Sequence, residues 1–395
     1  MSTTETPAPR TPPREDGPPE VSKPPGLSIG ALVVGILMIG VFLGIVALIV
    51  LSFLDAIPEI SWPDFLVTSD TTLEKFGLMF LAIGMFVAVM AALLFMVDSK
   101  KRVPNWTVAI AFVGPALAAL LLGLLWPMVS NFIQSFYGGS PWYDRERGEF
   151  VGFDNYVEIF TTEQFQVVLR NTILWVALVP LVSVALGLIY AVLIDRTRGE
   201  ALSKGLIFLP MAISLVGASI IWRFVYEFRS AERPQIGLAN QILVWLGLDP
   251  YQFLLTAPWN TFFLIVVMIW IQTGFAMTVL SAAIKAIPDD IIEAARLDGV
   301  TGVGMFRYVT VPSIRPALLV VWVTITMTTL KVFDIVRTMT GGNFSTSVVA
   351  NEFYTQSFRQ FNFGLGAALA VVLFVLVIPI IIYQVRQLRL SEEIR

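Results

Sequence analysis

The constraint that dominates this chain is the recurrence of apolar runs long enough to cross a bilayer. A hydrocarbon core takes a helix of about 20 mostly apolar residues, and only structures that satisfy their own backbone hydrogen bonds persist there. Runs near 28–54, 76–97, 106–135, 167–194, 206–228, 259–284, 316–338 and 365–385 meet that length. They predict an all-α, polytopic membrane protein with eight transmembrane helices. Composition agrees. The 395 residues are 56% hydrophobic and only 14% charged, against about 25% charged in soluble domains, and the mean hydropathy is +0.78.

Lys and Arg set the orientation, because cytoplasmic segments carry the excess. With the N-terminus inside, the inner segments hold 16 of the 26 cations, the outer loops 6, and the spans or their edges the remaining 4 (Arg170, Arg223, Lys331 and Arg337). Both termini are therefore expected in the cytoplasm of a multi-pass plasma-membrane protein. Residues 1–26 are rich in Pro, Thr and charge and read as a disordered cytoplasmic tail. The apolar run after Leu27 is too long for a cleaved signal sequence.

The chain has no Cys and no His. That removes disulfides, the commonest metal ligand and the commonest general base. No G-x-x-x-x-G-K-[ST] loop occurs, so ATP is not bound by that route. A net charge of -3 suggests no nucleic-acid partner. No catalytic or metal-binding residue is expected.

The loop at 285–315 is polar and lies between two long apolar runs. Pro288 can start a helix because its missing N–H would be unpaired there. Asp289 and Asp290 then fall in the first turn, where the dipole favours acids. Ile291, Ile292, Ala295 and Leu297 supply apolar contact area, and Gly299 suits a left-handed helix end. A second helical stretch from about Gly304 to Thr310 is expected to stop at Pro312. The result would be a short helix–turn–helix across the membrane face, either docking a partner or lying as an amphipathic surface helix with a solvated Glu293.

Polar residues within the spans are candidates for a transport pathway. Arg170, Arg223 and Glu227 fall near span ends and read as snorkelling or capping groups. The i, i+3 spacings of Lys331, Asp334 and Arg337 put all three on one face of span seven, as an internal ion-pair staple or as a polar patch on the pathway. Span six carries Gln272, Thr273 and Phe275, with Trp270 nearby, and span seven carries Thr324, Thr326, Thr328 and Thr329. Hydroxyls and amides hydrogen-bond sugar hydroxyls and aromatic faces stack on sugar rings. The same residues also serve as ordinary interhelical glue. The loops at 136–166 and 229–258, with Trp142, Tyr143 and Tyr156 in the first, read as interface anchors or as covers of the outer mouth.

Glu293-Ala294-Ala295, with Gly299 four residues after Ala295, nine further residues to Val309, and Val311-Pro312, resembles the EAA loop of ABC-importer permeases. Further pieces resemble the carbohydrate branch of that family, and in particular the F-type subunits of maltose-type transporters: Phe150-Val151-Gly152-Phe153-Asp154-Asn155-Tyr156, Arg170-Asn171-Thr172, Phe208-Leu209-Pro210, Trp222-Arg223, Phe333-Asp334 and Thr340-Gly341-Gly342. Asn343 replaces the family's Pro, so that turn is expected to differ.

The resemblance implies a type I ABC-importer permease fold, with a six-helix core at 105–395 and a two-helix extension at 27–104. It implies that Glu293, Ala294, Ala295, Asp298, Gly299 and Pro312 belong to the ATPase-coupling loop, with Glu293 paired to a basic residue of the ATPase. Gln272, Thr273, Phe275, Thr326, Thr329 and Asp334 are the candidates for the substrate pathway. The implied partners are a second permease, two ATPase subunits that hold the ATP and Mg, an extracytoplasmic sugar-binding protein and the bilayer. This chain would bind no cofactor. A di- or oligosaccharide such as maltose, trehalose or another α-glucoside is the expected cargo. The competing reading is an ion-gradient-driven transporter or channel, which usually needs carboxylates or broken helices at midplane. A membrane enzyme would need a catalytic constellation, and none is visible.

Overall fold

The computed structural model describes residues 120–139, 148–195 and 197–392, with single positions at 84, 90, 113, 116 and 117. The chain divides into two units, Met1–Trp126 and Pro127–Arg395. The expected tail at 1–26 and nearly all of the extension at 27–104 lie outside the described residues. So do Trp142 and Tyr143 of the first outer loop.

The second unit opens inside α1 (Trp126–Gln134), followed by a turn and α2 (Asp154–Thr161). The Phe150–Tyr156 segment closes back onto α1. Asn155 Nδ2 donates to the carbonyls of Ser135 at 2.9 Å and Tyr137 at 3.1 Å. The hydroxyls of Tyr156 and Ser135 are 2.6 Å apart, and Phe153 packs edge-on against Phe136.

Two long helices form the centre. They are α3 (Glu163–Ile194) and, after α4 to α6, α7 (Trp259–Lys285). Their contact is the most extensive in the unit. Trp175, Val179 and Val184 of α3 meet Leu264, Met268 and Met277 of α7 in one buried cluster. Small residues permit the close approach. A Cβ at Gly187 would come within 2.5 Å of Ala276 Cβ, and one at Gly274 within 2.5 Å of the Ile207 carbonyl. Leu181, Ile189 and Leu193 on α3 stay exposed, as expected of a face turned to lipid.

The run at 206–228 is not one straight helix. It breaks into α4 (Glu200–Phe208), a 3-10 turn (Leu209–Ala212) and α5 (Leu215–Val225), bent by 101°. Pro210 lacks the N–H that would continue the α-helix, and Ser214 is extended, with its Oγ accepting the Gly217 N–H at 3.1 Å to cap α5. After α6 (Leu238–Trp245), α7 and a short α8 (Asp289–Leu297), α9 (Val303–Met305) leads through a π turn (Phe306–Thr310) into α10 (Val311–Leu330).

Span seven also differs from expectation. Helix α10 ends at Leu330 and α11 (Asp334–Met339) starts afresh. Val332 in the break and Ile335, Val336 and Met339 after it are buried in the core. Asp334 and Arg337 still share a face of α11 at i, i+3, but Lys331 lies outside both helices, and the three form no ion pair with one another among the described residues. Arg337 instead sits over the Tyr354 ring, 4.7 Å from its centroid. Helices α12 (Val349–Phe358) and α13 (Phe363–Glu392) pack together and on α2 and α3 around Ile159, Phe165, Val349 and Leu369.

Among the described residues, four helical stretches are long and apolar enough to cross a membrane: Glu163–Ile194, Trp259–Lys285, Val303–Leu330 and Phe363–Gln387. The bent pair counts as a fifth if it makes one span. Span one of the expected eight lies outside the described residues, as does span two apart from Gly84 and Met90; span three is described at 113, 116, 117 and from 120 onward.

Candidate functional site: the loop between α7 and α10

The loop at 285–315 is built on local rules. Lys285 closes the last turn of α7, Pro288 caps α8 from an extended conformation, and Asp289 and Asp290 occupy its first turn. The C-terminus has the two bonds of a Schellman motif: Val300 N–H to the Ala295 carbonyl at 2.9 Å and Gly299 N–H to the Arg296 carbonyl at 3.0 Å. Gly299 has φ +80°, the left-handed conformation its position requires.

Pro312 does not act as expected. It lies inside a continuous helix, near the start of α10, and does not end the stretch before it. The wider π turn at Phe306–Thr310 absorbs the missing N–H and the ring. The element is therefore one short free helix, α8, joined by a turn to the foot of a long span.

Glu293, Ala294, Asp298 and Gly299 are exposed and Ala295 is half-buried. Large apolar side chains surround them. Leu297 is 89% exposed, Val303 81% and Tyr308 70%. The loop thus leaves three large apolar side chains uncovered beside its polar residues.

A polar network ties the foot of α7 to α4. Lys204 Nζ bonds Asp195 Oδ1, Ser281 Oγ and, at 2.7 Å, Glu200 Oε1. Ser281 Oγ also lies 2.7 Å from Asp195 Oδ1, and Lys285 reaches the same Glu200 oxygen. Asp195 and Ser281 are buried, whereas Lys285 is half exposed. Only the i, i+4 spacing of Glu200 and Lys204 signals any of this in the sequence.

The candidate pathway residues divide. Thr273, Thr326 and Thr329 are buried, and each hydroxyl donates 2.7 Å to the carbonyl four residues earlier, of Ile269, Trp322 and Ile325. Their donors are spent within their own helices and not across helices. Gln272 and Phe275 on α7 remain half-buried, as does Asp334 at the start of α11. None of the six lines the cavity bordered by Arg223 and Arg337. Among the described residues, no group of three or more His, Cys, Asp or Glu side chains could hold a metal ion.

Composition and spacing did not flag the buried amides and carboxyl at the other end of the bundle. Asn171 and Asn260 are 1% and 0% exposed. Asn171 Nδ2 donates to the Ser345 carbonyl at 2.7 Å, and Asn260 Nδ2 to the Phe344 carbonyl at 2.7 Å. Glu352, also buried, accepts from Ser347 at 3.0 Å and Gln356 at 2.9 Å. Asn343 closes its own turn by donating 2.9 Å to the Thr340 carbonyl.

A family of binding-protein-dependent transport system inner membrane components matches residues 165–389. The osmoprotective compounds uptake permease protein GgtC of Synechocystis sp. is 48% identical over 72% of this chain and 100% of its own length. The alpha-glucoside transport system permease protein AglF of Rhizobium meliloti is 46% identical over 70% of this chain and 80% of its own length. In fold, the chain is similar to a bacterial ABC transporter involved in import of the acidic polysaccharide alginate, with TM-score 0.60 and 24% identity over 72% of this chain and 96% of that one.

Proposed function

The chain belongs to the family of binding-protein-dependent transport system inner membrane components, and on that premise we propose that it forms half of the pathway of an ATP-driven sugar importer. It would work with a second permease, two ATPase subunits that bind ATP and Mg, and an extracytoplasmic sugar-binding protein. The Glu293 loop would face the cytoplasm. The cargo class is a small neutral saccharide or glycoside, for which the α-glucoside relative is the main support.

The observation that carries this reading is the exposed helix α8, with Glu293 on its surface and Leu297, Val303 and Tyr308 uncovered beside it. An ATPase cleft that takes α8 would bury that apolar surface, with Glu293 held by a basic residue. Helix α8 follows α7 after three residues and precedes the helix leading into α10 after five. A displacement of α8 therefore moves the feet of two spans together. The network of Asp195, Glu200, Lys204, Ser281 and Lys285 would carry the same motion to α4. Gln272 and Phe275 on α7 stay as candidates to meet the sugar; Thr329, wholly buried, does so only if the helices separate.

The test is reconstitution of the four-component complex. Glu293→Lys is expected to leave the chain inserted but to abolish sugar-stimulated ATP hydrolysis and uptake. Uptake at the wild-type rate would refute the docking role.

A further inference from the structure

We infer that the cavity at the end of the bundle opposite the Glu293 loop is a saccharide subsite. There the sugar would rest between its release by the binding protein and its entry between the two permeases. The inference rests on the sugar-importer reading and adds to it a place and a set of residues.

Helix α7 runs about 40 Å from one end of the bundle to the other at 1.5 Å per residue. Its C-terminus leads to α8, and the segments before its N-terminus line the cavity together with α5 and α11. The volume is about 490 Å³, within the range of small-molecule pockets. Arg223, Glu227, Gln252, Arg337 and Phe344 all border it. That set offers guanidinium donors, a carboxylate and an amide as acceptors, and a ring face, which is the chemistry sugar hydroxyls and pyranose rings require. Glu227 offsets one of the two guanidinium charges that border the cavity.

The site is built in advance. Arg223 Nη1 donates to the Thr338 carbonyl at 3.3 Å, and Arg337 is seated on Tyr354, so neither guanidinium must be ordered on binding. Phe344 carries the clearest sign. Phe344 and Ser345 have φ +56° and +59°, a conformation that side-chain-bearing residues avoid. Two buried amides from two long helices hold them in it, Asn260 on the Phe344 carbonyl and Asn171 on the Ser345 carbonyl. The arrangement leaves the Phe344 ring 51% exposed at the cavity. Backbone strain is thus held from two sides where an apolar ring borders the cavity, and such strain collects at ligand sites.

The test uses the complete complex in proteoliposomes, with the binding protein outside, ATP inside and maltose or trehalose as probe. Phe344→Gly removes the ring while glycine takes the left-handed conformation freely, so the turn survives. Gln252→Ala removes one exposed amide. Two quantities are read: sugar moved per ATP hydrolysed, and the binding-protein concentration that half-saturates ATP hydrolysis. Each variant is expected to lower sugar moved per ATP about three- to tenfold, the size of a lost stacking or polar contact, with half-saturation unchanged. A shifted half-saturation would make this a docking surface for the binding protein and overturn the subsite. Unchanged values for both variants would overturn it too. If the wild-type complex moves no saccharide, the importer reading itself falls.

Discussion

Glu200 Oε1 lies 2.7 Å from Lys204 Nζ and also accepts from Lys285, so one carboxylate joins the first turn of α4 to the last turn of α7. Lys285 is four residues before α8 begins. The bond thus braces the element proposed to dock the ATPase. Lys285 is 48% and Glu200 24% exposed, so solvent screens the pair. Glu200→Gln is expected to change the thermal stability of the complex by less than about 1 kcal/mol. It should nonetheless raise ATP hydrolysed per sugar moved, as measured in proteoliposomes. Unaltered coupling would show that the brace is passive.

Asp195 behaves differently because it is buried. Its Oδ1 serves both Lys204 and Ser281. Asp195→Ala leaves the Ser281 hydroxyl without that acceptor and Lys204 with one carboxylate fewer. A loss of about 1–3 kcal/mol is expected, visible as a lower melting temperature of the detergent-solubilised complex. A change equal to that of Glu200→Gln would contradict the difference in burial.

Gly299 has φ +80°, and nothing lies within 4 Å of an added Cβ. Any penalty for Gly299→Ala is therefore conformational, about 1 kcal/mol or somewhat more. Gly299→Asn should cost less, because Asn tolerates the left-handed region. The expected order of uptake is wild type, Asn, Ala, with membrane insertion unaffected. An Ala variant as active as wild type would show that the Schellman end of α8 does not matter.

Gly187 and Gly274 meet the opposite situation, with a neighbour 2.5 Å from each added Cβ. Gly274→Val should overpack the crossing of α7 with the α4 region and cost about 1–3 kcal/mol. The measurement is the yield of monodisperse protein in mild detergent. A normal yield would mean that the helices separate more easily than their packing implies.

These contrasts show where the sequence was readable. The loop around α8 was legible because its signals are local: Pro288, two acids in the first turn and Gly299 at the end. The break at Pro210–Ser214 was hidden inside uninterrupted apolarity, where hydropathy sees length but not direction. Only Pro210 and the cap residue Ser214 could have revealed it. Pro312 misled for the converse reason, since a π turn let the helix pass through it. The end of α10 at Leu330 depends on burial of Val332 and Ile335 by distant segments, which no local pattern carries. The pathway threonines looked free in the sequence because their back-bonds to the i−4 carbonyl leave no trace in composition. The grip of Asn171 and Asn260 on the 344–345 turn joins residues more than 80 positions apart.

The central claim is that sugar crosses by ATP hydrolysis in partner subunits docked at the Glu293 loop, and not by a gradient acting on this chain. The most direct measurement is uptake of labelled maltose or trehalose into proteoliposomes with and without internal ATP, binding protein and ionophores that collapse proton and sodium gradients. The complete complex should require both ATP and binding protein, ignore the ionophores and fail with Glu293→Lys. Accumulation by this chain alone, driven by a gradient and abolished by an ionophore, would contradict the claim.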